Sequence, residues 1–172
     1  MRVSSRVYYN QSTVKVNYTA VPKAGGSLTT MNETFGAVEG APKGSTATAK
    51  EGYTFIGWFA DEACTTPVNG AWLSGEGNNV LTPCEKDSDN CFVNATYYAL
   101  FEAKQNTPYK VEHYLEKSDG SFFLKETEDF TGTTDTTVTA AEKSYPGYTF
   151  DANNANNKVS GKIAGNGSLV LK

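Results

Sequence analysis

The chain of 172 residues contains one histidine, His113, and only three cysteines. A hydrolase triad needs a histidine beside a nucleophile, and a zinc site normally needs several histidine or cysteine ligands. No serine or cysteine forms a known nucleophile motif near His113, and we interpret this histidine as a surface residue of a strand. The sequence also lacks a phosphate-binding loop. These absences predict a protein that is not an enzyme, with no catalytic residues, no cofactor and no metal.

Long apolar runs and clusters of basic residues are absent as well. No window holds 18 apolar residues, which excludes a membrane-spanning helix within this segment, and no secretory signal with an apolar core follows Met1. The fifteen Lys and Arg residues are scattered and the net charge is −4, so the sequence predicts no nucleic-acid partner. Hydrophobic residues make up 38% of the chain, which is enough for thin cores only.

What the sequence does contain is a series of strand patterns. Apolar and polar residues alternate, with many β-branched and aromatic side chains, which is typical of half-buried strands. No amphipathic pattern of ten or more residues indicates a long helix; we expect only single helical turns at residues 61–64, capped by Asp61, and at residues 140–143. Asp119-Gly120 predicts a hairpin turn. The fold class is therefore predicted as mostly β, with its clearest strands at residues 13–20, 53–59, 95–101, 109–115, 121–128 and 133–139.

Two short sequence motifs recur at one fixed offset. Gly52-Tyr-Thr-Phe55 returns as Gly147-Tyr-Thr-Phe150, and Lys15-Val16 returns as Lys110-Val111, each 95 positions later. Such internal similarity predicts two related modules in series, at about residues 10–103 and 108–172. We expect both Gly-Tyr-Thr-Phe units to hold equivalent positions, with Gly52 and Gly147 at bends and Phe55 and Phe150 directed into the core.

The segment from Cys84 to Cys91 could contain a disulfide or a calcium loop. The two cysteines enclose a polar hexapeptide that reverses the chain easily, so in an oxidising compartment they could be joined by a disulfide that closes a hairpin. Cys64 would then remain reduced; alternatively, all three cysteines are ordinary thiols. Alternating oxygen side chains at residues 87–90 resemble a calcium loop but lack the glycine and the distal glutamate of that pattern, so we predict no calcium site there.

Aromatic side chains are the candidates for ligand contact, since their rings can stack on sugars. Trp72 lies in a loop-rich stretch, whereas Trp58 lies within a strand and is assigned to the core. Tyr97 and Tyr98 are consecutive on a strand and must point to opposite faces, so we expect one of them to be exposed. The competing interpretation is that these rings simply cover thin hydrophobic cores.

The motifs resemble two families of repeats. Gly52-Tyr-Thr-Phe-Ile-Gly-Trp58 followed by Thr96-Tyr-Tyr-Ala99 resembles the Listeria–Bacteroides repeat family over roughly residues 13–103. The motifs of residues 108–172 are similar to a mucin-binding-protein-type repeat, which the internalin B-repeats also resemble; they lie at residues 109–115, 131–134, 146–150 and 167–171. Residues 84–91 look like an insertion relative to the first family.

This resemblance implies tandem β-grasp-like modules of an adhesin-like surface protein of Gram-positive bacteria. It implies a spacer, stalk or adhesive repeat without catalysis, and alternatively a module that binds host glycan, mucin or a surface protein through exposed aromatic rings. We expect an extracellular, cell-wall-attached location, with the anchor in parts of the protein outside these residues. The apolar run at residues 168–172 ends without a terminator, and we expect a monomeric segment of a longer chain.

Overall fold

The computed structural model describes residues 2–172 and confirms a mostly β protein. Its helices within this range are three 3-10 turns of three residues each, none of which has the length to cross a membrane. The strands are β1 (Thr13–Val21), β2 (Gly26–Leu28), β3 (Asn32–Gly36), β4 (Ser45–Ala49), β5 (Tyr53–Phe59), β6 (Leu73–Ser74), β7 (Val80–Leu81), β8 (Ala95–Ala103), β9 (Thr107–Glu116), β10 (Phe122–Gly132), β11 (Thr137–Thr139), β12 (Ser160–Lys162) and β13 (Val170–Leu171).

Most predicted strands are present, and both predicted helical turns are wrong. Asp61 begins a β-turn instead, in which its carboxylate accepts hydrogen bonds from the backbone amides of Thr65 and Thr66. Residues 140–143 are irregular. The strand expected at residues 133–139 is confined to β11, because residues 133–136 form a turn in which Thr136 donates to the carbonyl of Thr133.

Residue contacts divide the chain into two compact units, which we describe separately. Unit 1 comprises residues up to Ala49 together with Phe55–Phe101, and unit 2 comprises Lys50–Thr54 together with Glu102–Lys172. The main sheet of unit 1 has the strand order β3-β1-β8-β5, and its second sheet has the order β2-β4-β7-β6. Unit 2 contains a sheet of order β10-β9-β13 and the strand pair β11-β12.

The core of unit 1 is built around Tyr18 and Trp58, each only 1% exposed. Their rings meet edge to face at 5.9 Å, and the indole N–H of Trp58 donates to the carbonyl of Asn79, so burying the indole leaves no polar atom unpaired. Tyr97 and Phe101 of β8 are buried in the same unit. The assignment of Trp58 to the core is confirmed.

Unit 2 is organised by the β9–β10 hairpin, whose turn is the predicted one. Gly120 takes a φ of +81° there, a conformation that favours glycine. The small apolar core of unit 2 consists of Val111, Ile163, Leu169 and Leu171.

The offset of 95 positions extends from the sequence into the strand register. Val14 and Val16 of β1 pair with Phe35 and Glu33 of β3. Their counterparts 95 positions later, Tyr109 and Val111 of β9, pair with Phe130 and Glu128 of β10, which are again 95 positions after Phe35 and Glu33. In both units the first strand also runs parallel to the last one, β8 in unit 1 and β13 in unit 2.

The two Gly-Tyr-Thr-Phe segments are equivalent only at their glycines. Gly52 and Gly147 adopt nearly the same φ, +86° and +84°, so the bends are confirmed. Phe55 lies half-buried on β5 and contacts the rings of Trp58 and Phe101. Phe150 is 46% exposed, so its predicted inward position is wrong. Residues 148–150 form no strand, and their side chains therefore do not alternate onto a core.

Candidate binding groove in unit 2

A groove with a volume of about 750 Å³ runs along β9 from Val111 to Glu116. Its walls come from the irregular segments at residues 140–151 and 154–159, and Lys172 also lines it. β9 forms the floor: residues 111–116 all line the groove, and the strand is held in place by its buried residues Val111 and Leu115. The groove therefore combines a floor of regular strand with walls of irregular structure.

One side of the groove is fixed by a polar cluster between β9, β10 and the segment that follows β11. His113 Nε2 lies 2.7 Å from Glu128 Oε1, and Lys143 Nζ lies 3.0 Å from Glu126 and 3.6 Å from Glu128. The Tyr145 hydroxyl donates to Glu126 Oε1 at 2.5 Å. These contacts attach the wall at residues 143–145 to the hairpin.

The protonation states of this cluster follow from its contacts. Burial, together with the hydrogen bond to Glu126, raises the pKa of Tyr145 to about 12. The hydrogen bonds from Tyr145 and Lys143 lower the pKa of Glu126, and the bond to Glu126 raises the pKa of Lys143. At neutral pH the three groups are thus a phenol, a carboxylate and an ammonium, which hold one another by charge-assisted hydrogen bonds.

His113 belongs to this cluster, so its interpretation as a surface residue is wrong. Its side chain is only 13% exposed, and its ring centre lies 6.1 Å from that of Tyr145. The contact with Glu128 allows His113 to be half-buried, because a half-buried imidazole needs a partner for its polar atoms.

Four exposed rings surround the groove. Tyr114, Phe122, Tyr148 and Phe150 are between 40% and 47% exposed. The Tyr114 hydroxyl donates to Glu112 at 2.6 Å, which raises the pKa of that phenol. An arrangement of flat apolar rings beside carboxylates can stack on a sugar or hold apolar side chains of a peptide.

The aromatic residues named from the sequence lie elsewhere, in unit 1. Trp72 ends a 3-10 turn and is half-buried, with its ring 6.1 Å from that of Tyr97. Tyr97 is 2% exposed, and burial raises its pKa to about 12. Tyr98 is half-buried. The structure brings Trp72 and Tyr97 together as packing partners, and ligand contact by the three rings stays a prediction.

The groove was not predicted from the sequence, although one difference between the two Gly-Tyr-Thr-Phe copies points to it. Phe55 is followed by Ile56, Gly57 and Trp58, whereas Phe150 is followed by the polar run of residues 151–157. Asn153 stands 95 positions after the core residue Trp58. The second segment therefore lacks the buried indole that packs β5 into the core of unit 1, and its rings Tyr148 and Phe150 are exposed.

The hairpin that holds Cys84 and Cys91 does not align the two cysteines. All three cysteines are free thiols, and the amide of Asp87 donates to the carbonyl of Cys91 at 2.9 Å, so Cys91 lies opposite Asp87 rather than Cys84. The Asp87 carboxylate accepts from the amides of Asp89 and Cys91, which closes the turn without a bridge. The disulfide stays a prediction, and this register argues against it.

Comparison with known proteins gives no match to a protein-family model, a curated protein or a solved structure. Within residues 2–172, no group of three or more His, Cys, Asp or Glu side chains is arranged to hold a metal ion. The groove of unit 2 is the site at which exposed rings, carboxylates and an edge of β9 converge.

Proposed function

We propose that this chain is a segment of a secreted or wall-attached bacterial surface protein that acts as a spacer or adhesive stalk, without catalysis. The observation that carries the proposal is the repetition of one hairpin at an offset of 95 positions, in sequence and in strand register. Repeated units that stack or follow one another serve reach and display, because each unit adds length and surface rather than a single reactive constellation.

We further propose that residues 10–103 and 108–172, which contain most of unit 1 and of unit 2, are tandem β-grasp-like modules. The strand order supports this assignment. In each unit the first strand lies between an antiparallel partner, β3 or β10, and the parallel last strand, an arrangement shared by β-grasp modules. β8 ends at Ala103 and β9 begins at Thr107, which leaves a short connection at the proposed boundary. Extracellular location and wall attachment follow from the resemblance to surface repeats.

A glycan and mucin array tests the proposal directly. The labelled chain is applied to immobilised host glycans and mucins, and a spacer is expected to show no binding above that of an unrelated protein of similar charge. Strong, saturable binding to one glycan class would overturn the spacer assignment.

The alternative is a module that binds glycan or mucin through exposed rings. The four rings around the groove of unit 2 favour it, because they lie beside the carboxylates of Glu112 and Asp151, which can accept hydrogen bonds from sugar hydroxyls. On the array, this function predicts binding that Tyr148→Ala abolishes and Tyr148→Phe retains, since the second change keeps the ring. Loss on Trp72→Ala instead would place the site in unit 1.

A further inference from the structure

A short segment from the first half of the chain belongs to unit 2. Residues Lys50–Thr54, here called the strap, group with Glu102–Lys172, whereas Phe55–Phe101 belongs to unit 1. β5 begins within the strap at Tyr53 and ends at Phe59. One strand therefore starts among the residues of unit 2 and continues among those of unit 1.

Two glycines allow the strap to lie close to another backbone segment of unit 2. A Cβ atom at Gly165 would overlap with the carbonyl oxygen of Glu51 and would lie 3.1 Å from Cα of Gly52. A Cβ atom at Gly52 would lie 2.5 Å from Cα of Gly165 and 2.8 Å from the side chain of Thr134. Any side chain at either position would push the two backbones apart, so this close approach requires glycine at both.

Hydrogen bonds hold the strap in place. The carbonyl of Gly52 accepts from the amide of Lys104 at 2.9 Å, and the carbonyl of Lys104 accepts from the amide of Thr134 at 2.9 Å. The Tyr53 hydroxyl donates to Asp135 Oδ2 at 2.7 Å, and Tyr53 is only 9% exposed. Because a buried hydroxyl is costly to leave unpaired, the strap contributes to the stability of unit 2.

The residues that receive the strap are attached to the core of unit 2. The amide of Asp135 donates to the carbonyl of the core residue Ile163 at 2.8 Å. The hydroxyls of Thr134 and Thr107, both buried, lie 2.7 Å apart. Further along β5, Trp58 is buried in the core of unit 1. One continuous segment, residues 50–59, is therefore attached to both cores.

The repeat shows that the close approach is particular to the strap. Gly147 stands 95 positions after Gly52, and Gly70 stands 95 positions before Gly165. A Cβ atom at Gly147 or at Gly70 would meet no atom of the described residues within 4 Å, apart from its chain neighbours. The contact is therefore not a general property of the bend before a Gly-Tyr-Thr-Phe motif.

We propose that the strap couples the folding of the two units, so that the chain unfolds in one cooperative step. When unit 2 unfolds, the buried hydroxyl of Tyr53 loses its acceptor, and β5 loses the support of its first residues. When β5 leaves the core of unit 1, the strap loses its fixed end. In a stalk under tension the two units would resist extension together; that consequence rests on the proposed function, whereas the coupling itself does not.

The two isoleucines of the chain report the two units separately. Ile56 lies on β5 in unit 1, and Ile163 lies in the core of unit 2. Methyl NMR of the full chain in increasing urea gives an unfolding midpoint for each of them. The two midpoints are expected to coincide in the wild type, as cooperative unfolding requires, and clearly different midpoints would overturn the proposal.

Leu169→Val distinguishes coupling from a chance agreement of the two midpoints. The change removes one methylene group from the core of unit 2. Because the units are coupled, we expect the midpoints of Ile56 and Ile163 to fall together, by roughly 0.5 M urea. A fall at Ile163 alone would refute the coupling, since unit 1 would then unfold independently.

Gly165→Ala displaces the strap and is expected to separate the two midpoints, with Ile163 lost at the lower urea concentration. Hydrogen exchange at the Lys104 amide should accelerate at least about tenfold, because this donor loses its acceptor. Gly70→Ala is the matched control, since it adds the same methyl group at the equivalent position of unit 1, where the space is open. Its midpoints should still coincide. Coincident midpoints in Gly165→Ala would show that the strap does not couple the units.

Tyr53→Phe is the milder variant, which keeps the ring and removes only the hydrogen bond to Asp135. It tests the strap even if Gly165→Ala prevents unit 2 from folding. Exchange at the Lys104 amide is expected to accelerate severalfold while both units stay folded. Exchange at the wild-type rate would contradict the role of the strap.

Discussion

Glu33 and Glu128 hold the same position in the two units, 95 positions apart. Glu33 lies opposite Val16 of β1, and Glu128 lies opposite Val111 of β9. Each carboxylate contacts the ring that follows its valine by two positions in the same strand. The Tyr18 hydroxyl donates to Glu33 Oε1 at 2.6 Å, and His113 Nε2 lies 2.7 Å from Glu128 Oε1. Tyr18 and His113 are themselves 95 positions apart, so the repeat preserves the polar contact while the ring changes.

Replacing Glu33 with alanine is expected to destabilise unit 1. Its carboxylate also accepts the backbone amides of Lys43 and Gly44, so the change leaves two amides and the hydroxyl of Tyr18 without their acceptor. Tyr18 is buried, and we expect a loss of about 2–3 kcal/mol in the free energy of unfolding. Urea unfolding of the variant and of the wild type measures this loss in stability. Glu39→Ala removes an exposed carboxylate and should change stability by less than about 0.5 kcal/mol. Equal effects of the two changes would refute the role of Glu33.

The two repeated phenylalanines should differ in their contribution to stability. Phe55→Ala removes ring contacts with Trp58 and Phe101 from a half-buried site, and we expect a cost of about 2 kcal/mol, below the range for fully buried rings. Phe150 is 46% exposed, and Phe150→Ala should cost less than about 0.5 kcal/mol. Chemical denaturation of both variants and of the wild type measures the two losses in the free energy of unfolding. A large loss for Phe150→Ala would place that ring in a core after all.

Acid should weaken the polar cluster of unit 2 through Glu126. Hydrogen bonds from Tyr145 and Lys143 lower its pKa in the folded state, so its contribution is complete above the ordinary glutamate pKa of about 4.3 and is lost as the pH falls through the lowered value. The difference in Tm between wild type and Glu126→Gln is therefore expected to be largest near neutral pH and to shrink on acidification.

Glu142→Gln is the matched control for this pH dependence. It removes one carboxylate from the same groove without breaking the hydrogen bond to Tyr145. Its Tm difference from wild type at each pH is the baseline with which the Glu126→Gln difference is compared. If Glu126→Gln behaves like Glu142→Gln at every pH, the cluster does not stabilise the fold.

Counting thiols resolves the state of the cysteine hairpin. The register that places Cys91 opposite Asp87 predicts three free thiols per chain under denaturing, non-reducing conditions. Protein folded in an oxidising buffer is the informative sample, because a bridge could form there. One free thiol would show that Cys84 and Cys91 are bonded and that the hairpin shifts its register to pair them.

The groove could not be derived from the sequence, for a reason visible in two residues. Gly147-Tyr-Thr-Phe150 copies Gly52-Tyr-Thr-Phe55, and local pattern alone assigns both to strands. Whether such a segment becomes a strand depends on a neighbouring strand and on a core partner such as Trp58. The second copy has Asn153 where the first has Trp58, and its rings line a groove instead.

The sequence by itself determined the mostly β character, the β9–β10 turn at Gly120 and the offset of 95 positions. These depend on side-chain alternation, on backbone conformations that favour glycine, and on repetition, all of which are local properties of the chain. Only the tertiary structure decided which rings are buried, where the groove of unit 2 lies, and which residue Cys91 faces. Those outcomes depend on contacts between segments far apart in sequence, where register and packing override local preference.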